Sequence, residues 1–322
     1  MIDISIELPN EPFVSILTPV YNGEEYLAEC IESVLEQTYD NWEYVIVNNC
    51  SNDDSLKIAE KYAEMDSRIR IHNNDEFLPH MENLNHAFRQ ISHDSKYCKV
   101  LHADDLLFPE CVSRMVALAE EYPSIGVVSS YQINGKRVKA KALPYPDRFM
   151  RGEDFGKKYL LEELKCLALP SAILIRSDLI RKRQNVYDET NMQSDAAAFL
   201  NILNESDFGY IHKILTFTRI HEKSTTSRLE KKYLHMLNLM RIWKECAPKF
   251  LSEEQAKQVI KRRERIFYIL FARSLLFGNT KEVFNNVNKQ LQGIDYEVKY
   301  GKLFLFLIRE ILVQPIKAIG IK

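Results

Sequence analysis

The sequence predicts an α/β protein in which a mostly parallel sheet is flanked by helices and followed by a helical extension. Three observations carry this. Between Phe13 and Tyr131, short β-branched runs alternate with helical patterns, the rhythm of parallel strands joined by crossover helices. Turn residues and acids collect where those runs end, the edge at which loops and helix N-termini gather in such sheets. After Ser227 the pattern is helical almost throughout.

Residues 14–18 form the first strand, and Pro19 to Gly23 its turn. A helix follows, with Leu27, Cys30, Ile31, Val34 and Leu35 at the i, i+3, i+4, i+7, i+8 spacing of one buried face. Residues 44–47 are the second strand and 48–53 a polar loop; Leu56, Ala59, Tyr62 and Ala63 mark the next helix, and 68–72 the third strand. A helix carrying Leu84, Ala87, Phe88 and Ile91 leads to an apolar run at 97–101. Leu106 to Pro109 reads as the start of a helix through Val112, Met115, Val116 and Ala119, with Pro109 in its first turn; 126–131 returns as a strand. Residues 132–222 are less regular, with strands at 171–176 and 214–220 around a helix at 195–203. Beyond them, Leu234, Leu237, Met240 and Trp243 form one helical stripe and Ile266, Ile269, Leu270 and Arg273 another. The division is 1–227 for the α/β domain and 228–322 for the helical region.

The chain has 322 residues and a net charge of −2, which hides an asymmetry. Residues 228–322 hold 19 Lys/Arg against 9 Asp/Glu, a net of +10, and the remainder carries −12. Either an anionic surface or a solvated helical face accounts for the basic part. The six cysteines are scattered without a Cys-x-x-Cys pair, so reduced thiols and a cytoplasmic setting are expected. The N-terminus has no basic segment and apolar stretch of a secretory signal, and no apolar run approaches the roughly 20 residues of a spanning helix.

The strongest functional lead is Asp104-Asp105, two adjacent acids at the end of a buried run. Such a pair is costly unless a cation or polar ligand offsets its repulsion. Around it stand Val14-Ser-Ile-Leu-Thr-Pro-Val-Tyr-Asn22, Cys30-Ile-Glu-Ser-Val-Leu-Glu-Gln-Thr38, Tyr44-Val-Ile-Val-Asn-Asn-Cys-Ser-Asn52 and Val100-Leu-His-Ala-Asp-Asp105, with weaker echoes at Asp195 and Arg219-Ile-His221. In order and spacing these resemble the family 2 glycosyltransferases, inverting enzymes with the Rossmann-like GT-A fold, over roughly the first two-thirds of the chain.

The resemblance implies a nucleotide-sugar donor, Mg²⁺ or Mn²⁺, and roles for named residues. Thr18, Tyr21 and Asn49 become base and ribose contacts, and Asn85, Asp104 and Arg219 further donor contacts. Asp105 and His221 become metal ligands, and Asp195 the base that takes the acceptor's proton, with Asp188, Glu189 and Asp207 as substitutes. Asp195 ahead of an alanine run is equally a helix N-cap, which would lower its pKa and weaken it as a base. Residues 222–226 form a polar loop able to close over phosphates.

The chain departs from the family pattern in three places. Asn48-Asn49-Cys50-Ser51 replaces the usual Asp-Asp-Gly-Ser, His102 replaces the first acid of Asp-x-Asp, and Asn83-Leu-Asn85 lacks the arginine of Ala-Arg-Asn. An Asn amide offers a base both donor and acceptor. Two functions therefore stand: a transferase of hexose or N-acetylhexosamine, from UDP first of all, to a glycan or lipid-linked glycan; or a non-catalytic nucleotide- or glycan-binding assembly partner. A nucleotidyltransferase would need a glycine-rich loop that Asn22-Gly23 does not supply. No nucleic-acid partner is expected. The last helix, 302–313, is read as lying on an anionic membrane face, packing on its own domain, or pairing with a second copy in a homodimer, with Pro315 ending it.

Overall fold

A computed structural model of the chain describes residues 11–164, 170–191, 193–221, 232–292 and 296–318, the last six by backbone alone. They fall into two compact units divided after His221. The polar loop expected at 222–226 lies outside the described residues.

The first unit runs β1 (Val14–Val20), α1 (Leu27–Leu35), β2 (Trp42–Asn48), α2 (Ser55–Met65), β3 (Ile69–Asn73), α3 (His80–Phe88), β4 (Tyr97–Val100), β5 (Leu106–Leu107), α4 (Cys111–Glu121) and β6 (Ile125–Asn134). It continues with β7 (Arg137–Lys139), β8 (Phe149–Met150), α5 (Gly152–Leu160), β9 (Ile173–Arg176), α6 (Ser177–Arg181), α7 (Ser194–Leu203) and β10 (Asp207–Thr218). One mixed sheet has the order β3-β2-β1-β4-β9-β6-β10-β5, with β7 on β6 and β8 on β10. The first four strands are parallel, and β9 runs antiparallel to both β4 and β6.

Helices on both faces explain why β1 and β2 are almost continuously apolar. Alternation then sorts their side chains: Ile16, Tyr44 and Ile46 pack with Ile31, Val34 and Met115, whereas Leu17, Val45 and Val47 pack with Leu84, Phe88 and Phe199. Val20 pairs with Asn48 and Asn48 with Asn73, so three strands end level and release Tyr21, Asn49 and Asn74 at one edge.

Leu106-Leu107 does not begin a helix. It forms a two-residue strand against β10, and α4 starts only at Cys111, with Glu110 rather than Pro109 before it.

The second unit comprises α8 (Lys232–Phe250), α9 (Glu253–Phe277), α10 (Thr280–Leu291) and α11 (Tyr300–Ala318). Ser252 and Gln255 exchange hydrogen bonds in a capping box that starts α9. Its core holds Leu237 and Met240 as expected, but α9 buries Phe267, Tyr268, Phe271 and Leu275 rather than the Ile266 stripe. α11 continues through Pro315 rather than ending at it.

Candidate active site

Strand register assembles an acidic cluster at the ends of β4 and β10. Leu107 faces Thr216 and Leu106 faces Phe217 in the antiparallel pairing of β5 with β10. Continuing that register brings Asp105 to Thr218 and Asp104 to Arg219. Arg219 N–H donates to Asp105 Oδ1 at 3.1 Å, the Thr218 hydroxyl to Asp105 Oδ2 at 3.4 Å, and Arg219 Nε to Asp104 O at 3.2 Å. His221 Nε2 lies 2.9 Å from Asp104 Oδ2. Arg219 also pairs with Glu29 at 2.7 Å, its guanidinium over the Tyr26 ring.

The acid that His221 meets is thus Asp104, while Asp105, read with His221 as a metal ligand, faces the end of β10. Asp105 is buried with both carboxylate oxygens engaged by the end of β10. Burial and then the Asp104 charge raise its pKa to about 6, against the opposing pull of His102, the Ser171 hydroxyl and the Arg219 N–H. Among the described residues, no three His, Cys, Asp or Glu side chains are grouped to hold a metal.

The ends of β1, β2 and β3 carry amides instead. Asn49 is buried; its Nδ2 donates to Leu78 O at 2.8 Å, and its Oδ1 accepts from Leu78 N at 2.9 Å and Asn74 Nδ2 at 2.8 Å. The two-point pairing anticipated with a base is made with backbone instead. Thr18 is likewise buried, donating to Leu101 O and accepting from Tyr44 OH, both at 2.8 Å, so it ties β1, β2 and β4 together and leaves no donor for a nucleotide. Tyr21 is half exposed and meets Phe77 edge-on, ring centres 4.8 Å apart. Asn74 Oδ1 is buried and accepts no hydrogen bond among the described residues.

Asp195 is not the N-cap of α7. Gln193 holds that position, and Asp195 lies in the first turn, where its Oδ1 accepts from Ala196 N–H at 3.0 Å. Burial raises its pKa over the opposing pull of that N–H and of His102, the reverse of the shift expected for a cap. It borders an apolar recess with Pro170, Val186, Tyr187 and Phe199. Asn85, read as a donor contact, is engaged in this region: its Nδ2 donates to Tyr187 O and Glu189 Oε1, and its Oδ1 accepts from Val186 N and Tyr187 N. The substitutes are engaged too, Glu189 by Asn85, Asp188 by Thr190 N–H at 2.9 Å, and Asp207 by Gly152 N–H at 3.0 Å.

The glycosyl transferase family 2 model matches residues 15–183, the stretch that contains the acid pair and the strands beneath it. This chain belongs to that family. An uncharacterized glycosyltransferase of Haemophilus influenzae is 30% identical over 182 residues, 56% of this chain and 55% of that protein. One of Rickettsia typhi is 26% identical over 221 residues, 67% of this chain and 66% of that protein. The family 2 chain therefore spans between half and two-thirds of these relatives. Among solved structures it resembles residues 1–349 of Staphylococcus aureus TarS in complex with UDP-GlcNAc, with a TM-score of 0.60 and 17% identity over 83% of this chain and 74% of that one. It also resembles the mannosyltransferase PcManGT of Pyrobaculum calidifontis, in complex with GDP-Man and Mn²⁺, with a TM-score of 0.58 and 13% identity over 94% and 87%. The fold is GT-A.

Four residues of this family 2 site were not read from the sequence. Phe77 has no motif around it. His102 was seen only as a lost acid, yet its N–H donates to Ser171 Oγ at 3.1 Å, its ring stacks 6.2 Å from His80, and its charge acts on both Asp105 and Asp195. Lys99 of β4 meets Ser171, in the turn ahead of β9: the fully buried Lys99 side chain donates to Ser171 O, and to Ile173 O at 3.2 Å. A lysine inside an apolar strand run was the available signal.

Proposed function

We propose that the protein is an inverting glycosyltransferase that moves a hexose or N-acetylhexosamine from a nucleoside diphosphate sugar, UDP first of all, to a hydroxyl of a glycan or lipid-linked glycan at the cytoplasmic side of a membrane. The observation that carries the reading is the β5–β10 register, which gathers Asp104, Asp105, Arg219 and His221, with His102 linking their field to Asp195.

In this reading Asp195 takes the proton of the acceptor hydroxyl as that oxygen attacks the anomeric carbon from the face opposite the diphosphate. The bond from that carbon to the diphosphate oxygen breaks, and the electron pair leaves with the nucleotide. A carboxylate whose pKa is raised by burial is a stronger base than an ordinary one, which suits Asp195. Asp105 holds the end of β10 in place, and Arg219 faces the leaving diphosphate. Asp104 Oδ2 and His221 Nε2 would hold Mn²⁺ or Mg²⁺, which would supply positive charge for the leaving group. Imidazole as a ligand favours Mn²⁺ of the two. Tyr21 and Phe77 offer the base a stacking surface, and Asn74 Oδ1 an acceptor for a base N–H.

The amides engaged around Asn49 favour a second reading, a non-catalytic nucleotide- or glycan-binding partner. Calorimetric titration with UDP, GDP and TDP, each with Mn²⁺ and with EDTA, is run on wild type and on Asp104→Ala, followed by a donor-consumption assay with the nucleotide that binds. Metal-dependent binding lost in the variant, together with sugar release dependent on Asp195, is expected. Binding without any turnover moves the protein to the second reading. No binding with metal present removes the donor site altogether.

A further inference from the structure

We propose that the exposed face of α11 is a docking surface for an anionic lipid bilayer. Tyr300, Phe304, Leu305, Ile308, Ile311 and Leu312 are each 40–66% exposed. At about 100° per residue all six fall within roughly 140° of the helix circumference, so they form one apolar face. A second face packs on its own unit: Leu303 is buried, Phe306 stacks on Tyr268 with ring centres 5.8 Å apart, and Glu310 pairs with Arg273 at 2.6 Å. The helix is therefore apolar on two sides, and only one side has a partner.

Charge selects the occupant. From Lys299 to Ala318 the sole acid is Glu310, which is buried against Arg273, while Lys299, Lys302, Arg309 and Lys317 are all basic. Arg309 falls beside the apolar face and is exposed, the position from which a long cationic side chain reaches headgroup phosphates, while Lys302 on the same side is held by Glu264 at 2.5 Å. A second copy would bring a further net charge of +10 in residues 228–322 against the first, whereas an anionic headgroup layer neutralises it. No described helix is long and apolar enough to cross a membrane, which leaves α11 lying in the interface plane. The proposal rests on the function above only in making this the place where a lipid-linked acceptor is met.

The test is flotation of the full chain with phosphatidylcholine vesicles, with and without phosphatidylglycerol, at low and high salt. The variants are Phe304→Ser with Ile308→Ser and, as a second pair, Leu305→Ser with Leu312→Ser, each checked for an unchanged melting transition. Binding to anionic vesicles that falls about tenfold in either folded pair, and falls again with salt, is the expected result. Equal vesicle binding by wild type and both pairs overturns the proposal. So does a dimer in sedimentation velocity that the substitutions dissociate without any vesicle binding, which would assign the face to a second copy. Nucleotide titration of the same samples keeps the two readings apart, since a chain that floats but binds no nucleotide loses the donor site and keeps the docking face.

Discussion

The ends of β1, β2 and β3 carry amides that bond one another and nearby backbone; the ends of β4 and β10 and the start of α7 carry acids and imidazoles, two of whose carboxyls burial keeps poorly stabilised as anions. Asn48 bonds Asn73, Asn49 bonds Leu78 and Asn74, and Asn74 bonds Asn83, all neutral contacts at 2.8–3.1 Å. At the other end Asp105 and Asp195 both have raised pKa values, because burial outweighs the few donors they meet. Neutral networks that close on themselves fix shape. Buried acids with shifted pKa values store a preference for a cation, a proton or a positive substrate centre. The difference teaches that with Asn48 and Asn49 at this loop its amides are taken up by protein partners, while the acids with raised pKa values stand at the other end.

The largest effect that can break this contrast is at Asp195. Asp195→Asn should lower turnover by about 10² to 10⁴, the usual worth of a positioned base, and leave nucleotide affinity from calorimetry unchanged. It should also stabilise the protein at neutral pH. The folded pKa of Asp195 lies above its unfolded value, so ionisation opposes folding above both values, and the cost disappears as pH falls below the ordinary carboxylate range. A variant with normal turnover, or one less stable at neutral pH, would show that Asp195 is structural.

An amide at the acidic end provides the next test. Asn85 makes four hydrogen bonds to residues 186–189 ahead of α7, so Asn85→Ala should cost about 1–3 kcal/mol in denaturant unfolding and lower turnover, with nucleotide affinity unchanged. Nucleotide affinity that falls with Asn85 would restore it as the donor contact read from the sequence.

These two residues also mark how far the sequence could be read. The parallel strands and α7 were legible because apolar period and turn residues agree along residues 14–131 and 194–203. Asp104-Asp105 was legible because adjacent acids after a buried run are rare without cause. The partners of Asn49 and Asn85 were not: Leu78 lies 29 residues from Asn49, and Tyr187 102 residues from Asn85, and an amide looks the same whether it faces a ligand or a distant backbone. Leu106-Leu107 was misread because two residues carry no period. The face of α9 slipped because residues 266–271 are apolar all round, so ring area rather than spacing decided which side chains went inside.

Tyr21 and Phe77 sharpen the contrast from the amide end. Stacking on exposed rings should be worth about 1 kcal/mol each, so Tyr21→Ala and Phe77→Ala should each weaken the bound nucleotide severalfold without changing the melting transition. Because every base offers a π-face, the loss should be similar for UDP and GDP. A loss confined to one nucleotide would mean that the base edge is read, with Asn74 Oδ1 the first acceptor to examine.

The smallest effect lies beneath the acidic end. Lys99 is buried, donates only to carbonyl oxygens, and has its pKa lowered by burial, with the nearby Cys111 and Asp105 opposing. A base with a lowered folded pKa binds fewer protons folded than unfolded, so its burden on stability is present at neutral pH and lifts as pH rises toward the ordinary lysine value of about 10.4. Lys99→Met removes a charge that costs solvation and leaves two carbonyls without their donor, two effects of opposite sign that should nearly cancel at pH 7. Wild type should then gain on the variant in unfolding experiments carried toward pH 10. Asp105 carries the sharper sign: without the nearby cation its carboxyl loses a favourable field, so its titration, followed by carboxyl NMR, should move to higher pH. Asn49→Ala, which changes no charge, should leave that titration where it is. If both variants move it alike, the amide and acidic ends are coupled through packing and not separated by charge.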